Sequence, residues 1–365
     1  MKQKKIIIFM PSIEGGGVEK NLFLISNFLS SKFNQVKLVT ASNNTKKIHK
    51  RINIIDSKIL NFFAKGRLFK TIFSSILLFF QLLNERNVIV LSFQANLFAI
   101  LITKFFNIKI ITRLNSSPSG WVDNNWRKNF FRKIYSWSDL IIVNSYEFKK
   151  ELWTKLKIKS HCIFNPLDKN IVIKKSKDKI KDNPYKIKSA LRIINIGRLV
   201  DQKDQLTLLK SINLLKKELK IELVIIGHGK NEINLKNFIK MNYLEKIVKI
   251  LKYRENPYPY LRLSELFILT SKYEGLPNVL LEAITLKKFI ISSNCPTGPM
   301  EILDNGKRGM LFKTGSYRQL AKKIKEYSKN KKSLKKKIKI AYSSLHKYDL
   351  KKNLDEYYNQ INKIN

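Results

Sequence analysis

The sequence predicts an α/β protein of two doubly wound halves, each with a parallel sheet. Three observations predict it. Short apolar runs alternate with longer stretches of helical periodicity. One charged, proline-bearing stretch near the middle interrupts that alternation. Beyond it the alternation starts again, and a length of 365 residues suits two domains.

In chain order, residues 6–10, 36–40, 88–93, 109–112 and 140–143 read as buried strands. Between the first two, Val18, Leu22, Ile25 and Leu29 fall at helical spacing, and apolar positions repeat likewise in 68–83 and 96–106. The stretch 165–185, NPLDKNIVIKKSKDKIKDNPY, carries Pro166 and Pro184 and little apolar periodicity, so the chain is expected to cross there into a second domain. Residues 191–196, 222–226, 247–251, 266–269 and 289–292 are the next strand candidates, followed by a Lys-rich helical tail from Ser316. The expected boundaries are 1–166 and 167–349, with 350–365 packing back on the first domain. Two such Rossmann-like domains face a cleft, and ligands of doubly wound sheets bind at the C-terminal ends of the strands.

The formal net charge is +44, from 71 basic and 27 acidic residues. Such a balance points to anionic partners: phosphorylated substrates, acidic lipid or nucleic acid. A plainer account stands beside it. Only twelve of the basic residues are Arg, and the chain is rich in Ile and Asn, so codon bias with Lys spread over solvated faces gives the same charge. Cys162 and Cys295 are the only cysteines and form no CxxC pair, which argues against a zinc or redox motif and fits a reducing, cytoplasmic compartment. The apolar run near the N-terminus is too short for a signal peptide and reads as a first strand. The segment 68–83, LFKTIFSSILLFFQLL, is interrupted by Lys70, Ser74, Ser75 and Gln81 and is shorter than a spanning helix of about 20 apolar residues. It is expected to be a buried or interfacial helix. Beside Lys65, Arg67 and Lys70, a partly exposed face of it would suit peripheral contact with anionic lipid on the inner face of the plasma membrane.

Three stretches carry candidate chemistry. EGGGVEK (14–20) follows a strand and opens a helix; its glycines let backbone approach a ligand, and the helix start favours an anion. Its spacing is neither G-x-G-x-x-G nor a Walker loop, and a plain tight turn accounts for it equally. NIGRLVDQKD (195–204) puts Arg198 and Lys203 after a strand and a Gly turn, where a planar fork and a point charge can clamp a diphosphate; two solvated charges are the alternative. SKYEGLPNVLLEA (271–283) follows a strand. Pro277 suits the first helical position and places the N–H groups of Asn278, Val279 and Leu280 to meet a phosphate. Glu282 lies one turn beyond Asn278 on the same face, placed for the hydroxyls of a ribose, and Glu274 sits in the preceding loop, placed for a sugar. Solvated acids on a helix are the alternative.

EGGGVEK, then GR-x4-K at 197–203, then E-x7-E at 274–282, in that order on two wound halves, resemble the retaining glycosyltransferases of family 4, of GT-B fold. The resemblance covers nearly the whole chain. SKYEGLPNVLLEA and SNCPTGPMEIL (293–303 within 292–303) resemble bacterial enzymes that add GalNAc, GlcNAc or galactose to lipopolysaccharide, capsule or lipid-linked oligosaccharides. The resemblance implies an acceptor-side first domain and a nucleotide-sugar-binding second domain. It implies that Arg198 and Lys203 bind the donor diphosphate, Gly16 and Gly17 approach it, and Glu274 contacts the donor sugar. Gly275, Leu276, Asn278 and Val279 would line sugar and phosphate, Glu282 the ribose, and Tyr253 and Arg254 the base, with His228 nearby. Many family members carry a first-domain His after the strand matching 109–112. This chain has TRLNSSPS there, with Arg113 and Asn115 as acceptor-side candidates and none of the four His in place. A transfer without a histidine base then runs on one face of the donor, the leaving phosphate taking the acceptor proton; the electrostatic work falls to Arg198 and Lys203, and Glu274, on the donor sugar, is the third catalytic candidate. No D-x-D occurs, so no metal and no cofactor are expected; the partners are a UDP-sugar and a glycan or lipid-linked acceptor. The rival class is a basic nucleic-acid-binding protein, for which the charge speaks but no recognisable module does, so nucleic acid is not expected as a partner.

Overall fold

The structure is a computed structural model that describes residues 4–56, 66–120, 122 and 124–364. Lys65, one of the cations expected beside the apolar segment, lies outside the described residues, as do the ends of the expected segments at residues 1–3 and 365. The chain divides into two compact units, Met1–Pro166 with Leu350–Asn365, and Leu167–Asp349.

The first unit is built on seven strands: β1 (Lys5–Phe9), β2 (Gln35–Val39), β3 (Ile52–Ile55), β4 (Val88–Ser92), β5 (Lys109–Arg113), β6 (Leu140–Val143) and β7 (His161–Cys162). They pair in the order β3-β2-β1-β4-β5-β6-β7, parallel throughout. A parallel sheet needs crossovers, and those crossovers cover both of its faces, so its strands read as unbroken apolar runs. IIIF (6–9) does this literally. Ile6 and Ile8 enter one core with Leu22, Ile25 and Leu29 of the helix Gly17–Lys32, while Ile7 and Phe9 enter the other with Leu78 and Leu82 of the helix Arg67–Asn84. The helix Leu350–Asn362 joins the first of these cores through Leu354, Tyr357 and Ile361.

The second unit has β8 (Leu191–Ile196), β9 (Ile221–Ile226), β10 (Val248–Leu251), β11 (Leu266–Leu269), β12 (Phe289–Ser293) and β13 (Met310–Phe312), in the parallel order β10-β9-β8-β11-β12-β13. In both sheets the order reverses at one place, between β1 and β4 and between β8 and β11. Connections leave on opposite sides there and a crevice opens at the strand ends.

Three strands lack the long apolar run by which the others are recognised. β3 begins next to charged residues, β7 has two residues and β13 three, and each lies toward an edge of its sheet. Pairing rather than local composition makes them strands.

The core of the first unit holds a wholly buried cation. Arg113, the last residue of β5, donates from Nε to the Tyr357 hydroxyl at 2.9 Å and from a terminal nitrogen to Asn165 Oδ1 at 2.6 Å, over the Phe93 ring. This residue, expected on the acceptor side, therefore turns its guanidinium into the core, where it ties the C-terminal helix to the end of the sheet. Tyr357→Phe leaves a buried charged donor without its acceptor and should lower unfolding stability by about 1.5–3 kcal/mol. A urea midpoint unchanged from the parent protein would show that this bond contributes nothing.

Candidate active site

At the order reversal of the second sheet, the chain leaves β8 through Gly197 and returns as a helix capped by Asp204, whose side chain accepts from the Thr207 backbone N–H. Arg198 and Lys203 lie on this loop. Arg198 is exposed and reaches Gln202 Oε1 at 3.3 Å. Gln202 in turn donates to the Tyr273 carbonyl, and its own carbonyl accepts from Lys272 N–H at 2.7 Å. The loop after β8 is thereby stitched to the loop after β11.

An ion pair joins those two loops. Lys203 Nζ lies 2.5 Å from Glu274 Oε1, with the two side chains only 16% and 8% exposed. The same oxygen accepts from the Ser271 hydroxyl at 2.6 Å. Burial at this level keeps water from loosening the pair, yet the short reach leaves the ammonium at the loop's edge. The Lys203 stem runs past Gly197 at ordinary contact distance, 3.7 Å from where a Cβ would stand.

A third loop, after β12, closes the arrangement. The Thr297 hydroxyl donates to the Glu274 carbonyl at 2.6 Å, the Glu274 N–H to the Pro296 carbonyl, and the Ser293 hydroxyl to the Ser271 carbonyl. Gly298 has φ +80 and its missing Cβ would fall 2.1 Å from the Gly275 carbonyl oxygen, so no other residue permits this approach.

The helix Asn278–Thr285 starts one residue later than its sequence suggests. Pro277 is the cap, with extended backbone, rather than the first helical residue. Its carbonyl accepts from the Leu280 N–H at 3.0 Å, so that amide is engaged within the helix. Glu282 is buried in the second turn, where the Tyr258 hydroxyl donates to it at 3.2 Å. Gly275 and Leu276 are buried in the loop, while Asn278 and Val279 are half-buried. Tyr253 and Arg254 are exposed after β10, and the Tyr253 ring stands edge-on to His228, 5.6 Å away.

The structure thus joins Lys203 and Glu274 directly, and Arg198, through Gln202, to the backbone of the loop that carries Glu274. Glu282 has a separate partner in Tyr258. Sequence reasoning missed Ser271, Gln202, Thr297 and Tyr258. Ser271 and Gln202 lie inside the quoted motifs, but nothing about a lone Ser or Gln marks it as a support, and Tyr258 lies 24 residues from the carboxylate it meets. In the first unit, Gly16 caps the helix Gly17–Lys32 in extended conformation, and half-buried Asn115 donates to the Phe93 carbonyl at 2.7 Å.

Two parallel-sheet α/β units of this topology have the GT-B fold. The structure aligns with Anabaena HepE in complex with UDP and glucose at a TM-score of 0.81 and 14% identity, over 99% of this chain and 100% of that one. The chain belongs to glycosyltransferase family 4: residues 15–170 match that family (Glycosyltransferase Family 4) and residues 176–344 match the glycosyl transferases group 1. It is 32% identical over 221 residues to an uncharacterized glycosyltransferase of Methanocaldococcus jannaschii, a match spanning 56% of this chain and about half, 53%, of that relative. It is 26% identical over 276 residues, 72% of this chain and 73% of the other, to a Campylobacter jejuni enzyme. That relative is an N-acetylgalactosamine-N,N'-diacetylbacillosaminyl-diphospho-undecaprenol 4-alpha-N-acetylgalactosaminyltransferase.

Beside the ion pair, burial pushes the Cys295 thiol up to about 12, and the Glu274 carboxylate adds to it. A thiol raised in the folded state contributes stability that is complete below its value in the unfolded chain, near 9.0, and is lost as pH rises toward 12. Unfolding free energy should therefore fall more steeply between these limits in the parent protein than in Cys295→Ala. Parallel slopes in the two proteins would contradict the assignment. At pH 8 the folded protein should leave Cys295 unalkylated by iodoacetamide, as peptide mass mapping would read.

Proposed function

We propose that this chain is a retaining, metal-independent glycosyltransferase that moves a hexose or N-acetylhexosamine from a UDP-sugar to a lipid-linked or cell-surface glycan. The observation that carries the reading is the buried Lys203–Glu274 pair, with Ser271 behind it and Arg198 exposed beside it, at the strand ends of the second unit. A diphosphate offers Lys203 the charge that Glu274 supplies in the present arrangement. It would engage Arg198 through the planar fork and Lys203 through its ammonium. Glu274 would then accept hydroxyls of the donor sugar, and Glu282, held by Tyr258, those of the ribose.

The backbone of Gly275, Leu276, Asn278 and Val279 would line sugar and phosphate, Tyr253 and Arg254 the base. In transfer, the bond from the sugar's anomeric carbon to the diphosphate oxygen breaks, the acceptor oxygen bonds to that carbon on the same face, and the leaving diphosphate takes the acceptor's proton. Arg198 and Lys203 stabilise the charge that builds on the leaving oxygen. The name of the Campylobacter relative supports an acceptor carried on a lipid diphosphate, and the UDP in the Anabaena complex supports the donor. Of the acceptor-side pair, Asn115 is favoured over Arg113, whose guanidinium is occupied in the core. Such an acceptor places the protein in the cytoplasm, peripheral to the membrane's inner face. Among the described residues, no helix is long and apolar enough to cross a membrane.

UDP or a UDP-sugar at 100 times its dissociation constant should stabilise the fold by about 2.7 kcal/mol, read as a rise in melting temperature. Arg198→Ala should remove a charge-assisted bond of about 1.5–3 kcal/mol from UDP binding. Arg198→Ala and Glu274→Gln should each lower transfer sharply. No thermal response to any uridine nucleotide, or full activity in both variants, would refute the reading.

A further inference from the structure

The two faces of the first unit's sheet meet solvent differently. The helices Gly17–Lys32 and Leu350–Asn362 on one face contribute none of the exposed large hydrophobic residues. The helices on the other face contribute many. On Arg67–Asn84, Leu68, Phe69, Ile72, Ile76, Phe80 and Leu83 are all exposed, from 39% to 66%. At 100° per residue they form one stripe along the helix. Its inner face buries Ser74 and Ser75 beside Leu78 and Leu82. A helix whose outer face meets only water carries its polar residues there.

The neighbouring helices continue the stripe. Asn96–Phe105 exposes Phe98, Leu101 and Phe105 while burying Thr103, and Phe105 meets Phe79 of the first helix at 5.9 Å between ring centroids. Asn125–Tyr135, packed beside it, exposes Trp126 and Phe130 as a stacked pair 5.5 Å apart. These three helices carry seven basic residues, Arg67, Lys70, Lys104, Arg127, Lys128, Arg132 and Lys133, and no Asp or Glu.

We propose that this three-helix face is a docking surface for an anionic lipid bilayer, with the apolar stripe sunk to the acyl boundary and the cations on headgroups. A protein partner or second copy would bury an apolar patch equally well, but the three helices bring cations and no acid, Lys70 reaching Glu14 outside them at 3.9 Å, so the face cannot pair its charges with a second copy of itself. Anionic headgroups neutralise them, and interleaved aromatic and basic side chains suit the interface between headgroup and chain. At 1.5 Å per residue the first helix, about 27 Å long, lies in that plane. The inference deepens the proposed function. It rests on that reading's lipid-linked acceptor for its purpose, while the contact itself is read without any sugar transfer.

The full chain should float with vesicles of phosphatidylcholine and phosphatidylglycerol at low salt and much less with phosphatidylcholine alone. Phe80→Ser with Phe105→Ser, and separately Lys104→Glu with Arg127→Glu, should each weaken partitioning about tenfold or more. Both double variants should keep the parent's melting temperature and its thermal response to UDP, since all four positions are exposed. Absence of flotation at low salt would overturn the docking surface while leaving the UDP response, and hence the donor reading, standing. Flotation lost only in the charge variant would overturn insertion. A dimer by sedimentation that the serine variant dissolves, with vesicle binding unchanged, would assign the face to a second copy instead.

Discussion

The second unit of this molecule depends on backbones passing closer than side chains allow. Three loops leave neighbouring parallel strands, and their carbonyls and amides must meet for Lys203 to reach Glu274. At Gly227 a Cβ would stand 1.9 Å from the Gly197 carbonyl oxygen, and at Gly298 it would stand 2.1 Å from that of Gly275. Any larger residue drives the loops apart. Gln202, Ser271 and Thr297 then lock the distances that the glycines permit.

Within that frame the charges are arranged against the composition. In a chain of formal charge +44, a buried carboxylate is well placed for a partner, and Glu274 and Glu282 take different ones. Glu274 has a full cation and a hydroxyl on one oxygen, an arrangement that a diphosphate can compete with for the ammonium. Glu282 accepts from a phenol hydroxyl, that of Tyr258. Two acids eight positions apart thus sit in different surroundings.

The first unit solves another problem. Its sheet is covered on both faces, yet the helices on one side end in water as ordinary amphipathic helices and those on the other present hydrocarbon. Burying Ser74, Ser75 and Thr103 while exposing Phe80 and Phe105 sacrifices folding stability that the reverse order would supply. Such an arrangement persists where the outward face has its own use.

The strand runs determined much by themselves. A segment such as IIIF (6–9) or LFIL, apolar at every position, fits only a strand covered on both sides, and alternation with helices makes the sheets parallel. The Gly, Arg, Lys and Glu positions that belong at strand ends were therefore legible, because loops at the carboxyl edge follow the strands in sequence. What tertiary structure alone decided was pairing across distance. β3, β7 and β13 are strands because a neighbour offers them hydrogen bonds. Tyr258 meets Glu282 across 24 residues, and Arg113 meets Tyr357 across 244, which turned an expected acceptor-side cation into a core tie. Periodicity reports which face of an element is apolar, but which groups share one small volume is set by how the chain closes on itself.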